Sequence, residues 1–463
     1  MKLVKRIMAT ATMLVFGISM LAGCSSTSDA SGTSKSGSIA EASSVASELA
    51  STVDSDSVAS GEKTTITAWH TWGAGPGLDA MQAIVDKYNE TNDKNIYVDL
   101  GFVANQASGN TQTMDKLMAA IAANNPPDVA LLDNFQVAGW AAQEALVPLD
   151  DLMSGVDLAL NGVYDWAAQG SVYKDKTYSI PYNGDSRALF YNKDMFTAAS
   201  LDPEKPPKTI DELTEMAKQL TIREGSNYKQ VGFVPWQFAG KPIYCWGWNF
   251  GGEFYDAEKN VLTIADPKNI EALQWEVDFA GEMGGIDFVN FASGLGTGAE
   301  DPFVTGQIAM AVRGNFDISN MATYNPNLNY GVTPIPSKEE GKSANMIGGW
   351  GWTIPKGAKN PEASIDFLKY TMSEEAQTLM AEMSSSFSPV QSVNEAVFAD
   401  NDEMAVFLQE LKHGKIRPPV PVGQELWDNL NTVLDSALHG EDTPENLLTA
   451  LDGEINGKLQ KFN

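Results

Sequence analysis

The sequence predicts an α/β protein with mostly parallel sheets, and three observations carry that prediction. Segments rich in β-branched residues alternate with segments of helical periodicity, the pattern of strands joined by helical crossovers. Hydrophobic residues make up 43% and charged residues 20% of the 463, a globular mixture long enough for two or three domains. Two cysteines and three histidines are too few for a disulfide framework or a metal cluster to stand in for a core.

In chain order, Lys2, Lys5 and Arg6 precede the apolar run Ile7 to Met20 and the sequence Leu21-Ala22-Gly23-Cys24. A basic start, a short apolar stretch and small residues at its end make residues 1–23 a signal peptide, too short for a comfortable membrane span. Residues 25–60 hold fourteen serines and no aromatic residue. Such a segment cannot bury enough apolar surface to offset the entropy of ordering, so 24–60 reads as a disordered tether and the folded part starts at 61.

The first strand is Thr64 to Trp69, followed by the turn Gly73-Ala74-Gly75-Pro76-Gly77 and a helix with Leu78, Met81, Ile84, Val85 and Tyr88 on one face. Ile96 to Phe102 is the next strand. A helix runs from Thr113 to Ile121, and Asn125-Pro126-Pro127 stops it before the strand Asp128 to Leu132. Thr209 and Glu212 have capping-box spacing ahead of Leu213, Met216 and Leu220. Asn360-Pro361 and Thr443-Pro444 read as N-cap and first-turn pairs. No glycine- or proline-rich linker divides the folded part, so any two lobes in it are interwoven.

Charge excludes one class of partner. Thirty-one Lys and Arg against 60 Asp and Glu give a net charge of −29, which repels a phosphate backbone and excludes nucleic acid. The glycine-rich stretches Gly73 to Gly77 and Gly294 to Gly298 lack the spacing of a phosphate-cradling loop. His70, His413 and His439 lack ligand spacing with one another, and Cys245 between Tyr244 and Trp246 reads as a small buried hydrophobe. No nucleophile elbow is present. With 60 acidic residues, no single carboxylate pair stands out as a glycosidase pair.

Eleven tryptophans supply the positive signal. Trp69 and Trp72 close the first strand, Trp236 follows the strand Val231 to Val234, and Trp350 and Trp352 flank Gly351. Tyr244, Trp246 and Trp248 alternate, which on a strand would make one face aromatic. Ligands bind at the carboxyl ends of strands in open α/β sheets, and flat indole faces stack on the C–H faces of sugar rings while Asp, Asn, Arg and Glu bind hydroxyls. The polar candidates beside these loops are His70, Asn134, Asp185, Arg187, Glu253 and Asn315. Core packing is the competing role for each tryptophan, and a solvated ion pair for Asp185 with Arg187. Trp140, Trp166 and Trp275 read as core.

The folded part resembles the extracellular solute-binding proteins of carbohydrate ABC importers, the maltose-binding-protein-like group. The matching stretches are Ile66-Thr67-Ala68-Trp69-His70, Pro127-Asp128-Val129 with Leu146 to Asp151, Tyr178-Ser179-Ile180-Pro181-Tyr182 with Ala188 to Asp194, Pro207 to Leu213, Asn329 to Thr333, and Ile354-Pro355-Lys356-Gly357 with Asn360 to Ala363. The resemblance implies a two-lobe periplasmic-binding-protein-like fold with hinge strands: residues 61–182 and 348–388 in the first lobe, 183–347 and 389–463 in the second. It adds Asp133 to the ligand-binding candidates, supports Asn134, Asp185, Arg187, Tyr244 and Trp246, and marks Asn315-Phe316 as a place where the family often has a ring. Leu21-Ala22-Gly23-Cys24 resembles a lipobox, which implies lipidation at Cys24 and a place on the outer face of the bacterial cell membrane.

The expected protein is therefore a lipid-anchored, monomeric, non-enzymatic receptor for a neutral sugar or oligosaccharide that delivers it to ABC permease subunits, with no cofactor and no metal. The competing expectations are a lipid-anchored glycoside hydrolase and a receptor for a polyamine or other cationic solute.

Overall fold

The computed structural model describes residues 63–103, 111–225, 227–237, 242–296, 300–411 and 414–462. The signal peptide, the tether, Cys24 and His413 lie outside the described residues.

Eight strands build two sheets: β1 (Thr64–His70), β2 (Ile96–Phe102), β3 (Val129–Asp133), β4 (Ile180–Asp185), β5 (Arg187–Asn192), β6 (Met310–Gly314), β7 (Tyr330–Thr333) and β8 (Gly348–Thr353). The first sheet has the order β2-β1-β3-β8-β4 and the second β6-β5-β7. Within these two sheets, the pairs β1 with β2 and β1 with β3 are parallel. Strand β8 is antiparallel to β3 and β4, and the second sheet is antiparallel throughout. The expectation of mostly parallel sheets is thus corrected. Strand β4 leads the chain out of the first sheet and β8 brings it back, so two neighbours that cross one boundary in opposite senses pair antiparallel.

The first lobe packs helix α1 (Pro76–Thr91) on its sheet through Met81, Ile84, Val85 and Tyr88, the face expected from the sequence. Asp128 locks the start of β3: its carboxylate accepts from the Thr67 backbone N–H at 2.9 Å and from the backbone N–H and side-chain amide of Asn360, both at 3.1 Å. The Asn360 side chain therefore does not cap its helix as expected. Thr209 with Glu212 forms the capping box, and Thr443 caps the last long helix.

In the second lobe the aromatic run 244–248 lies on helix α2 (Pro242–Asn249), not on a strand. A helix turns about 200° in two residues, so alternate side chains point apart. Tyr244 and Trp248 share one face, stack at 5.4 Å and join the core formed with helix α3 (Gly423–Leu438) and Pro444–Leu459. Trp246 faces the core of Leu213, Phe233 and Phe279. The helix is apolar all round because it is buried between two cores. Val231–Val234 likewise forms no strand; Val231 makes a single bridge to Ile308.

One buried residue, Ser186, separates the two sheets between β4 and β5. Its backbone N–H donates to Asn315 Oδ1 at 2.8 Å, and its carbonyl accepts from the Asn315 N–H at 3.1 Å. Asn345 Nδ2 donates to Ser186 Oγ at 2.5 Å, while Asn345 Oδ1 accepts from the Arg187 N–H at 2.8 Å. Asn315 also donates to the Ser385 carbonyl at 2.5 Å. Asn315, expected from the sequence as a ligand contact, is fully buried with its amide engaged on both sides, so it clamps the crossing.

Two predictions follow from burial. Trp246 is 1% exposed, packs edge-on against Phe233 and Trp275 at 5.9 and 4.8 Å, and donates its indole N–H to the Pro235 carbonyl at 3.0 Å. Trp246→Ala should cost about 3–5 kcal/mol of stability, read as a lowered urea midpoint; a change within error would return Trp246 to the surface. Glu276, on the helix Pro267–Met283, is 0% exposed and neither carboxylate oxygen has a hydrogen-bond partner among the described residues. Desolvation holds its carboxyl well above the usual range. The unfolded chain ionises first as pH rises, so the native state holds an extra proton and this residue lowers stability by about 1.4 kcal/mol per pH unit until the raised native value is reached. Glu276→Gln should therefore gain on the wild type progressively as pH rises above the ordinary carboxylate range in urea unfolding, and a pH-independent difference would contradict a raised Glu276.

Candidate functional site

A cleft of about 520 Å³ opens where the carboxyl ends of β1 and β3 meet the ends of β4 and β8, the start of the helix after Phe316, and the segment from Arg417 to Trp427. Its aromatic wall begins where β1 ends. The chain turns through Gly73–Gly77, and Gly77 lies beneath the Trp72 ring so closely that a Cβ there would come within 3.2 Å of it. Trp72 meets the half-buried Trp350 edge to face at 6.1 Å. It also leans on Tyr182 at 5.8 Å, which packs on the fully buried Trp352 at 5.6 Å. The platform in the cleft is thereby rooted in the first-lobe core.

Two Asp–Arg pairs supply the polar wall. Asp185 ends β4 and Arg187 begins β5; their side chains are ion-paired, and Asp185 also accepts from the Gly348 backbone N–H at 3.1 Å. Asp133 ends β3 and pairs with Arg417 Nη2 at 2.6 Å. The Arg417 guanidinium lies 4.1 Å over the Phe135 ring and 4.7 Å over that of Trp427, and Arg187 lies 5.5 Å over Phe316. Burial pushes the Asp133 carboxyl up, Arg417 opposes it, and the negative Asp185 adds to it. Asn183, buried at the cleft wall, has an amide oxygen with no donor among the described residues. Each carboxylate is held by a guanidinium, an arrangement that offers fixed acceptors and donors to hydroxyls.

Of the candidates read from the sequence, the fold brings Trp72, Asp133, Asp185, Arg187 and Trp350 into this cleft. Trp352 sits at the root of the platform, in the core. Tyr244 and Trp246 are core side chains because their helix is enclosed. Trp69 lies over Gly101 of the neighbouring strand and packs with Leu117 and Trp140. His70 is buried against Phe102, and burial lowers its pKa. Asn134 lines a water-sized void beside Gly349, and the half-buried Trp236 packs on Phe288 at 5.6 Å. Trp248 and the exposed Glu253 line a separate cavity with Trp166 and Lys415, and Glu253 is ion-paired to that lysine.

The cleft also gathers Asn183, Arg417 and Trp427, which the sequence did not single out. Trp427 has helical core spacing with Leu426 and Leu430, which hides a half-buried residue that also reaches the cleft. Arg417 stands in a proline-rich loop with no recognisable spacing to Asp133.

A family model described as bacterial extracellular solute-binding protein matches residues 74–378, more than half of the chain. The galactooligosaccharide-binding protein of Bacillus subtilis is 22% identical over 73% of this chain and 78% of its own length. The sn-glycerol-3-phosphate-binding periplasmic protein of Escherichia coli K12 is 25% identical over 66% of this chain and 69% of its own. Among solved structures, CpMnBP1 with mannobiose bound superposes with a TM-score of 0.75 at 30% identity, covering 85% of this chain and all of that one. With its two interleaved sheets and the cleft between them, this chain belongs to the bacterial extracellular solute-binding protein family.

Proposed function

We propose that this protein captures a neutral sugar or oligosaccharide between two lobes, 61–182 with 348–388 and 183–347 with 389–463, and delivers it to the permease subunits of an ABC importer. In this reading it is a monomer without catalytic activity, held by a lipid on Cys24 at the outer face of the bacterial membrane. The observation that carries the reading is the pairing, in one cleft, of the Trp72–Trp350 platform with two Asp–Arg pairs that leave no net charge. A neutral polyhydroxylated ring fits both features: its C–H face stacks on indole, and its hydroxyls bridge carboxylate and guanidinium.

The same charge balance argues against the other solutes. A phosphoester such as sn-glycerol-3-phosphate calls for an uncompensated cation, and both guanidiniums here face carboxylates. A polyamine calls for uncompensated carboxylates. The relatives' names, galactooligosaccharide-binding and mannobiose-bound, support the sugar. Closure can be driven only by the difference in ligand affinity between closed and open lobes, so the hinge must lie within a few kcal/mol of balance.

Calorimetry against mannobiose, maltose, galactobiose, sn-glycerol-3-phosphate and spermidine tests the reading. A sugar should bind with an affinity that hardly changes between low and high salt, whereas binding of only the charged solutes, falling with salt, would overturn it. Trp72→Ala and Trp350→Ala should each weaken sugar binding by about 1–3 kcal/mol while the protein stays folded; unchanged affinity in both would remove the platform.

A further inference from the structure

Trp427 is half-buried at the cleft, and its ring has close neighbours: Phe135 at 5.4 Å and the near-parallel Tyr244 at 6.4 Å. The Arg417 guanidinium lies 4.7 Å over it, and the same group lies 4.1 Å over Phe135 and is ion-paired to Asp133 at 2.6 Å. A sugar ring stacked on Trp427 would need the place the guanidinium holds, because both bind the flat face of the indole.

Arg417 is also fixed where it stands. It is 7% exposed, and its backbone is constrained on both sides. Its backbone precedes Pro418 and Pro419, which restricts it to extended conformations. Two residues upstream, Lys415 exchanges backbone hydrogen bonds with the segment before β8, donating to the Asn345 carbonyl at 2.7 Å and accepting from the Ile347 N–H at 2.8 Å. Downstream, the Pro421 carbonyl sits so near Gly139 that a Cβ there would come within 2.9 Å of it. A side chain lying over two adjacent rings, paired to a buried carboxylate and mounted on constrained backbone is a wall and not a mobile gate.

We infer that Arg417 is a chain-length stop: it occupies the stacking face of Trp427, limits the cleft to short glycans, and on removal uncovers one more ring-binding position. The inference rests on the sugar reading above and deepens it.

The test is calorimetry of the full chain with linear manno- and malto-oligosaccharides of two to five units, comparing wild type, the double variant R417A/D133N and R417K. The double variant removes the stop without leaving a buried unpaired carboxylate, and the ratio of long-glycan to short-glycan affinity within each protein cancels any general loss of binding. The wild type should gain nothing beyond its shortest tight ligand, while R417A/D133N should gain about tenfold or more for a glycan longer by one unit. Arg417→Lys keeps a cation for Asp133 but loses the planar stack, and should gain in the same direction by less; it carries the test if the double variant does not fold. A wild type whose affinity rises with every added unit, or variants with the wild-type length profile, would overturn the stop while leaving the sugar reading intact. A wild type that binds no member of either series would overturn the sugar reading and the stop with it.

Discussion

The hydrogen bonds around Ser186 are the constraint on which the rest of the structure depends. A single buried residue joins the two sheets, and a buried backbone amide or hydroxyl left without a partner costs about 1–3 kcal/mol. Asn315 and Asn345 meet that demand from two other places in the chain, the end of β6 and the approach to β8. Asn315 reaches on to Ser385. Four separate stretches of the chain, around 186, 315, 345 and 385, are thus tied at one point. Asp185 and Arg187 flank that point, so the ion pair in the cleft is set by the same bonds that hold the lobes together.

The charge of the whole protein and the charge of its cleft follow different rules. A net −29 is spread over exposed carboxylates, many of them in surface pairs such as Lys218 with Glu215 and Glu282, where the energy per pair is small and solubility is the main effect. In the cleft, each of the two lining carboxylates, Asp133 and Asp185, is matched by a guanidinium. Overall acidity therefore says nothing about the solute, and the local balance says a good deal. The buried Glu276, whose carboxylate has no hydrogen-bond partner among the described residues, has its carboxyl pushed up by desolvation instead.

The sequence disclosed what depends on local spacing and concealed what depends on enclosure. The face of α1 and the Thr209–Glu212 capping box were legible because a 3.6-residue repeat and a four-residue motif are local properties. Period-two aromatics on 244–248 pointed to a strand, yet a helix buried on both sides carries apolar residues at every position and loses its periodicity. Trp72, Asp185 and Arg187 were legible because strand ends and the loops after them face the cleft in α/β sheets, Trp350 because it stands beside Gly351 with a second tryptophan, and Asp133 only through the family resemblance. Arg417 was not, because its partner Asp133 is 284 residues away, and pairing over that distance is set by the fold alone.

The tryptophans, which first suggested a ligand, divide by depth and not by kind. From the cleft inward, Trp72 leans on Tyr182, Tyr182 on Trp352, Trp352 on Phe367, and Phe367 on Tyr88, each at 5.2 to 6.1 Å. Edge-to-face and tilted contacts of this kind hold rings in fixed orientations, so the outermost indole inherits its position from the innermost. A platform that is rigid before the ligand arrives loses little entropy on binding, which leaves more of the stacking energy to appear as affinity. Linkage then runs the other way: a solute bound to the folded cleft stabilises the fold by RT ln(1 + [L]/Kd). On the sugar reading proposed above, the core residues behind Trp72 therefore act on affinity without touching the solute, while tryptophans such as Trp246 and Trp275 belong to a separate core and serve folding.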